Sequence, residues 1–306
     1  MWPMCRSCII RGRDFYASYC LRTTLGAVLL LGGLTCGCAT AVYHPKSQDL
    51  WPLVVRASLI ASGTLNVPAL SIRTNVASSI YEEVQCTLEV DHVLKGKAVT
   101  NIAVTYYTKP RDHSPRPDVL VSLNGKKALL FLRQSADSAT PEYYFAERVD
   151  ALQEAEPQTV NRVKAEVEEQ QRILSHFAAL FPPERSRLYY PVKNLIDATL
   201  SKSTQRDALL QLEAIGPKAV PSIILLMDDR RTLAVRAIEL KNTGPDSWED
   251  SRYYRPELVV DALAAILNQI TGEHFGFSYN GGSETERRHE VDAWRLYLYH
   301  MKTSGR

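Results

Sequence analysis

The sequence predicts an α+β protein of two domains, a small antiparallel β-barrel followed by an α-helical domain. Two observations carry this. Between about residues 54 and 149, apolar side chains alternate with polar ones at period two, in short runs broken by turn residues, as half-buried strands require. From about residue 154 the spacing changes to three and four, which gathers apolar residues on one face of a helix. A third feature lies outside both regions. A basic flank (Arg6, Arg11, Arg13, Arg22) precedes an apolar run over 25–34 and the small-residue stretch Thr35-Cys36-Gly37-Cys38, an order that reads as an export signal and not as part of a fold. That run is well short of the roughly 20 residues that span a bilayer.

The stretch Leu34-Thr35-Cys36-Gly37-Cys38 resembles the lipobox of bacterial lipoproteins, in which a peptidase cuts before a cysteine that then carries lipid. The resemblance implies a signal peptide over 1–37 and palmitate on Cys38, with Cys36 the other cysteine in reach. It also implies a place in the cell envelope, on the periplasmic or outer side of a bacterial membrane. Residues 38–52 are polar and unpatterned and read as a tether.

Within 53–150 the strand candidates are 54–65, 80–94, 99–107, 128–133 and 143–149, rich in Val, Ile, Leu and Tyr. Turn chemistry separates them at Lys95-Gly96-Lys97, at Asn124-Gly125-Lys126 and along the proline-rich loop 109–117. Five short strands without a long helix among them point to a barrel or sandwich. The segments Ala57-Ser58-Leu59-Ile60-Ala61-Ser62-Gly63-Thr64-Leu65, Val93-Leu94-Lys95-Gly96 and Gly125-Lys126-Lys127-Ala128-Leu129-Leu130-Phe131-Leu132 come in an order that resembles bacterial relatives of the netrin-like, metalloproteinase-inhibitor-type barrel. That resemblance implies an OB-like fold, without the disulfides that brace the family's eukaryotic members.

Residues 151–190 read as a linking amphipathic helix. Val160, Val163, Val167, Ile173, Leu174, Phe177 and Leu180 share one face, and Phe181-Pro182-Pro183 stops it. In 191–306, helices are expected over 192–200, 205–215, 219–227 and 257–270; 232–241 alternates partly like a strand, and 242–254 reads as an insertion. Arg206-Asp207-Ala208 on one helix, Ile215-Gly216-Pro217 at the turn and Ala219-Val220-Pro221 opening the next resemble one HEAT-like repeat of the bacterial type. Such helix pairs stack on neighbours to bury their apolar faces. The ending Ile270-Thr271-Gly272, Phe275-Gly276 and Ala293-Trp294-Arg295 resembles the close of bacterial HEAT-like proteins. It predicts a helix C-cap at Gly272, a turn at Gly276 and a last helix whose Trp294 and Leu298 cover the repeat.

Composition limits the function classes. The chain has a formal net charge of +2, but four arginines and one aspartate precede Cys38, so the remainder carries about −1 and no broad nucleic-acid footprint is expected. Beyond Cys38 the sole cysteine is Cys86, in an alternating strand pattern, which excludes an internal disulfide and suits a small apolar residue on a sheet face. No phosphate loop, GxGxxG, EF-hand loop or zinc cluster occurs, so no cofactor or metal is expected. A polar pocket can be drawn from Glu273, His274, Arg287, Arg288 and His289, and His289-Glu290 offers an acid/base pair, although Ala293 stands where a zincin needs its second histidine. Arg111 and Arg116 in the proline-rich loop suit an anionic partner such as lipid headgroups or acidic glycans. Tandem tyrosines at 106–107, 143–144, 189–190 and 253–254 place one ring in and one out wherever they lie in strands.

The sequence therefore predicts a lipid-anchored envelope protein that acts as a non-catalytic binding or scaffold module with a protein partner, a glycan being the other class. The alternatives are a hydrolase-type pocket in the C-terminal half, and protease inhibition through the netrin-like half. Inhibition there would need a free amine on the cysteine that lipid modification blocks.

Overall fold

The computed structural model describes residues 50–68, 82–108, 117–134, 143–146, 150–241, 251–276 and 278–304. The expected signal peptide, Cys36, Cys38, Arg111 and Arg116 lie outside the described residues.

The described chain opens with a short helix, α1 (Trp51–Arg56), where the sequence suggested the end of a tether and the start of a strand. Pro52 sits in its first turn, where a missing N–H costs nothing. Next come β1 (Leu59–Asn66), β2 (Glu82–Lys95), β3 (Asn101–Thr108), a helix α2 (Pro117–Ser122), β4 (Lys127–Gln134), β5 (Tyr143–Phe145) and β6 (Leu152–Glu154). The strands run in the order β1-β2-β3-β5-β4, and β4 pairs back onto β1 to close a five-stranded barrel. Every pairing is antiparallel except β3 with β5, which is parallel at Val104 and Tyr143. β6 continues the edge of β4 beyond β5.

Alternation fills the interior. Leu59, Ala61 and Leu65 of β1, Cys86 and Leu88 of β2, Ile102 and Val104 of β3, and Ala128, Leu130 and Leu132 of β4 form one buried cluster, which Leu120 of α2 and Leu123 join. Cys86 is thus the small core residue expected of it, and burial pushes its thiol up to about 12. The β1–β2 register shifts twice, between Ile60 and Ala61 and between Ser62 and Gly63. A Cβ at Gly63 would stand 1.9 Å from the Glu89 carbonyl oxygen, so only glycine admits the close approach at this bend of the barrel wall.

The run Ala128-Leu129-Leu130-Phe131-Leu132 is apolar at every position because β4 is buried on both faces. Its outward residues Leu129 and Phe131, with Ile60 of β1, meet Leu53 and Val54 of α1 and Val163 and Val167 of α3 (Pro157–Ser175). Burying each of these large side chains contributes about 1.5–3 kcal/mol. Further along α3, Ile173 enters a different cluster, that of the helical region. One amphipathic stripe therefore packs on the barrel at its start and on helices at its end.

The helical region holds α4 (Phe177–Leu180), α5 (Tyr189–Ala198), α6 (Gln205–Ile215), α7 (Val220–Leu225), a two-stranded ribbon of β7 (Ile238–Lys241) and β8 (Ser251–Tyr254), α8 (Val259–Thr271) and α9 (Glu284–Thr303). β8 takes up the end of the segment read as an insertion, and β7 falls where the strand-like alternation was seen. All ten residues Val259–Asn268 of α8 are buried, and eight of them are apolar, as a helix at the centre of a core requires. Gly272 ends it in the left-handed conformation at φ 75°, the expected C-cap. α9 closes over this core with Val291, Trp294 and Leu298; the indole is fully buried and meets Phe275 edge-on at 4.8 Å.

Candidate functional site

Among the described residues, the seam where α1, the barrel and α9 meet gathers several charged side chains around the last turn of α1. The carbonyl groups of that turn lack helical partners. Lys95, at the end of β2, donates from Nζ to the Val54 carbonyl at 2.7 Å. Arg133 of β4 donates from Nε to the Arg56 carbonyl at 3.1 Å, and His289 Nε2 of α9 stands 3.3 Å from the same oxygen. Cationic groups belong at a helix C-terminus, where the backbone dipole is negative. Burial brings Lys95 down to about 8, with Asp292 opposing the shift.

Gly96, next to Lys95, has φ +95°, and a Cβ there would lie 2.6 Å from the Ser58 carbonyl oxygen. The Val-Leu-Lys-Gly motif thus makes the turn and supplies the amine that caps α1. Arg56 itself bonds Glu273 Oε2 at 2.9 Å, and its guanidinium lies 5.5 Å from the centre of the Phe275 ring.

The residues proposed for a pocket have separate roles. Arg287 is buried and grips Asp261 with two bonds, Nε to Oδ1 at 2.7 Å and Nη2 to Oδ2 at 2.9 Å. Asp261, wholly buried, also accepts the backbone N–H groups of Glu257 and Leu258 at 3.0 Å. The pair therefore ties α9 to the capped start of α8. Its hydrogen bonds hold the Arg287 guanidinium above its ordinary value. Arg288 is exposed and pairs with Glu284 one turn back.

His289 lies in the seam. Burial, with Lys95 and Arg133 beside it, pushes its imidazole down to about 3, so it is neutral at physiological pH. His274 is also held below its ordinary value, by partial desolvation and by the charges of Arg252, Arg56 and Arg133.

Glu290 is buried, and its Oε2 accepts the Ser278 backbone N–H at 3.1 Å. Its Oε1 and the Ser278 hydroxyl have no partner among the described residues, and burial raises the carboxyl's pKa. His289 and Glu290 are thus held by different partners, the Arg56 carbonyl and the Ser278 amide, and not by one another. Among the described residues no group of three or more His, Cys, Asp and Glu side chains is arranged to hold a metal ion.

His289 and Arg287 stand out in the sequence as polar residues near the C-terminus, but their partners do not. Lys95 was visible as part of a turn motif; Arg56, Arg133 and Asp261 carried no signal, because their roles arise from segments distant in sequence.

The barrel has a second feature of functional interest. Its β1–β4 wall is covered by α1 and α3, whereas on the β2–β3 wall Gln85, Thr87, Glu89, Asn101 and Ala103 face solvent. Two of the tyrosine pairs in strands divide as expected: Tyr144 and Tyr253 are exposed, Tyr143 is half-buried and Tyr254 is buried, while the side chains of Tyr106 and Tyr107 lie outside the described ones.

Compared with known proteins, the chain matches no family model, no curated protein and no solved structure.

Proposed function

We propose that this is a lipid-anchored envelope protein that acts as a non-catalytic binding module, with an OB-like barrel as its binding domain and a HEAT-like helical region as its support. The observation that carries the reading is the asymmetry of the barrel: one wall is sealed by α1 and α3, and the other presents polar side chains to solvent. The strand order 1-2-3-5-4, closed by strand 4 onto strand 1 with a helix between strands 3 and 4, supports the OB-like assignment. In OB folds the face of strands 2 and 3 is the one that binds. The pair α6–α7, joined at Gly216-Pro217 and packed with α5 and α8, supports one HEAT-like unit. The inward engagement of Arg287, His289 and Glu290 favours binding over hydrolysis, since these side chains tie α9 to α8, to α1 and to the turn at Ser278.

The test is photo-crosslinking in living cells. A photoreactive residue is placed at Thr87 on the open wall or, as a control, at Glu168 on the exposed side of α3, in the full chain and in its Cys38→Ala variant, with alkyne-palmitate labelling alongside. The expected result is one discrete adduct from position 87 and none from 168, with label and membrane association lost in the variant. Equal crosslinking at both positions would refute the binding face, and undiminished labelling of the variant would refute the anchor at Cys38.

A further inference from the structure

A cleft of ≈ 250 Å³ opens between the amino end of α6 and β7, away from the barrel wall and from the seam. Its floor is apolar, made by Leu209 and Ile238, both buried in the helical core. Lys202 and Arg206 stand exposed on its rim with Glu239, whose carboxylate accepts the Tyr253 hydroxyl at 3.2 Å. The rim thus offers two cations against one carboxylate that already has a donor.

The cleft runs along a sheet edge. β7 pairs with β8 in a two-stranded sheet, and among the described residues no third strand lies on its other side. At the mouth, the Gln205 side chain already behaves as a strand neighbour would. Its amide nitrogen donates to the Val235 carbonyl at 2.6 Å, and its amide oxygen accepts the Val235 N–H at 2.8 Å. A primary amide making both bonds to one residue reproduces the pairing of a peptide group on a strand edge.

We infer that this cleft binds an extended acidic peptide, added as a third strand along β7 beyond Gln205, with a carboxylate side chain reaching Lys202 and Arg206. Main-chain bonds to the edge would supply affinity, and alternate side chains would supply register and charge selection. This site is independent of the barrel wall proposed above, and either can fail without the other.

The test uses the full chain and a fluorescent, capped heptapeptide of alternating valine and glutamate, with three comparisons: its valine–lysine counterpart, the same acidic probe N-methylated at alternate amides, and the surface variant Lys202→Glu/Arg206→Glu. The acidic probe should bind saturably and protect amides at 237–240 from hydrogen exchange. Reversing both rim charges should weaken it about tenfold, the scale of two exposed ion pairs lost. N-methylation should abolish binding. The inference is overturned if the methylated or the basic probe binds as tightly, if charge reversal has no effect, or if the acidic probe does not saturate.

Discussion

At the scale of single residues, burial separates charges that the sequence shows side by side. Arg287 and Arg288 are neighbours on α9, yet the first has 9% of its side chain exposed against a wholly buried Asp261, and the second is 72% exposed beside Glu284. Removing one partner of a buried pair strands the other without solvent, a loss of about 3–5 kcal/mol, whereas an exposed pair one turn apart is worth about 0.3–0.5 kcal/mol. Arg287→Met should therefore lower the urea midpoint severely, and Arg288→Ala should barely move it. Adding Asp261→Asn to Arg287→Met should cost less than the two single losses summed, because no unpaired charge remains. Equal midpoints for the two arginine variants would show that the fork does not tie α9 to α8.

At the scale of elements, the turn after β2 is where a sequence motif acquires a structural purpose. Gly96 at φ +95° turns the chain against the Ser58 carbonyl, while Lys95 beside it reaches the last turn of α1. Gly125 also has a positive φ, of +75°, but a Cβ there would meet nothing within 4 Å. Gly125→Ala should thus lose only the conformational strain, about 1 kcal/mol, and Gly96→Ala clearly more, since a backbone oxygen cannot move aside cheaply. Urea denaturation of both variants measures the difference, and identical losses would mean that the close approach at Gly96 is not structural.

The same stretch shows how far the sequence could be read. Periodicity marked the strands and helices that bury one face to within a few residues, whereas β4 and α8 showed as nearly unbroken apolar runs because they are buried on every side. It failed for α1, whose Leu53, Val54 and Val55 are all buried and run on toward β1, so that a short helix and a strand share one apolar pattern. The candidate site was legible as a set of polar residues near the C-terminus. Their partners were not, because Arg287 finds Asp261, and His289 finds Arg56, only after the chain has folded back on itself.

At the scale of the whole molecule, the seam joins barrel, α1 and α9, so a proton taken up there is felt by the global unfolding equilibrium. Two adjacent residues of α9, His289 in the seam and Glu290 against Ser278, respond with opposite sign. His289 falls from 6.5 to about 3, driven by burial and by Lys95 and Arg133. Its stabilising contribution is complete above 6.5 and is lost as pH falls from there toward 3, because the unfolded chain binds the proton first. Glu290 is raised above 4.5, chiefly by burial, with the neighbouring Ser278 and Arg133 opposing and Asp261 adding. Its contribution is complete below 4.5 and is lost as pH rises through its elevated value. In the wild type the two contributions change with pH in opposite directions. His289→Gln, which keeps a donor for the Arg56 carbonyl, should make the protein gain stability relative to wild type as pH falls below 6.5. Glu290→Gln, which keeps an acceptor for the Ser278 amide, should remove the gain that the wild type draws from this carboxyl as pH falls toward 4.5. Urea midpoints for the three chains, followed from pH 7 down to pH 4.5, decide the matter. If both variants track the wild type, the seam is open to water and does not couple the barrel to the helices through these residues.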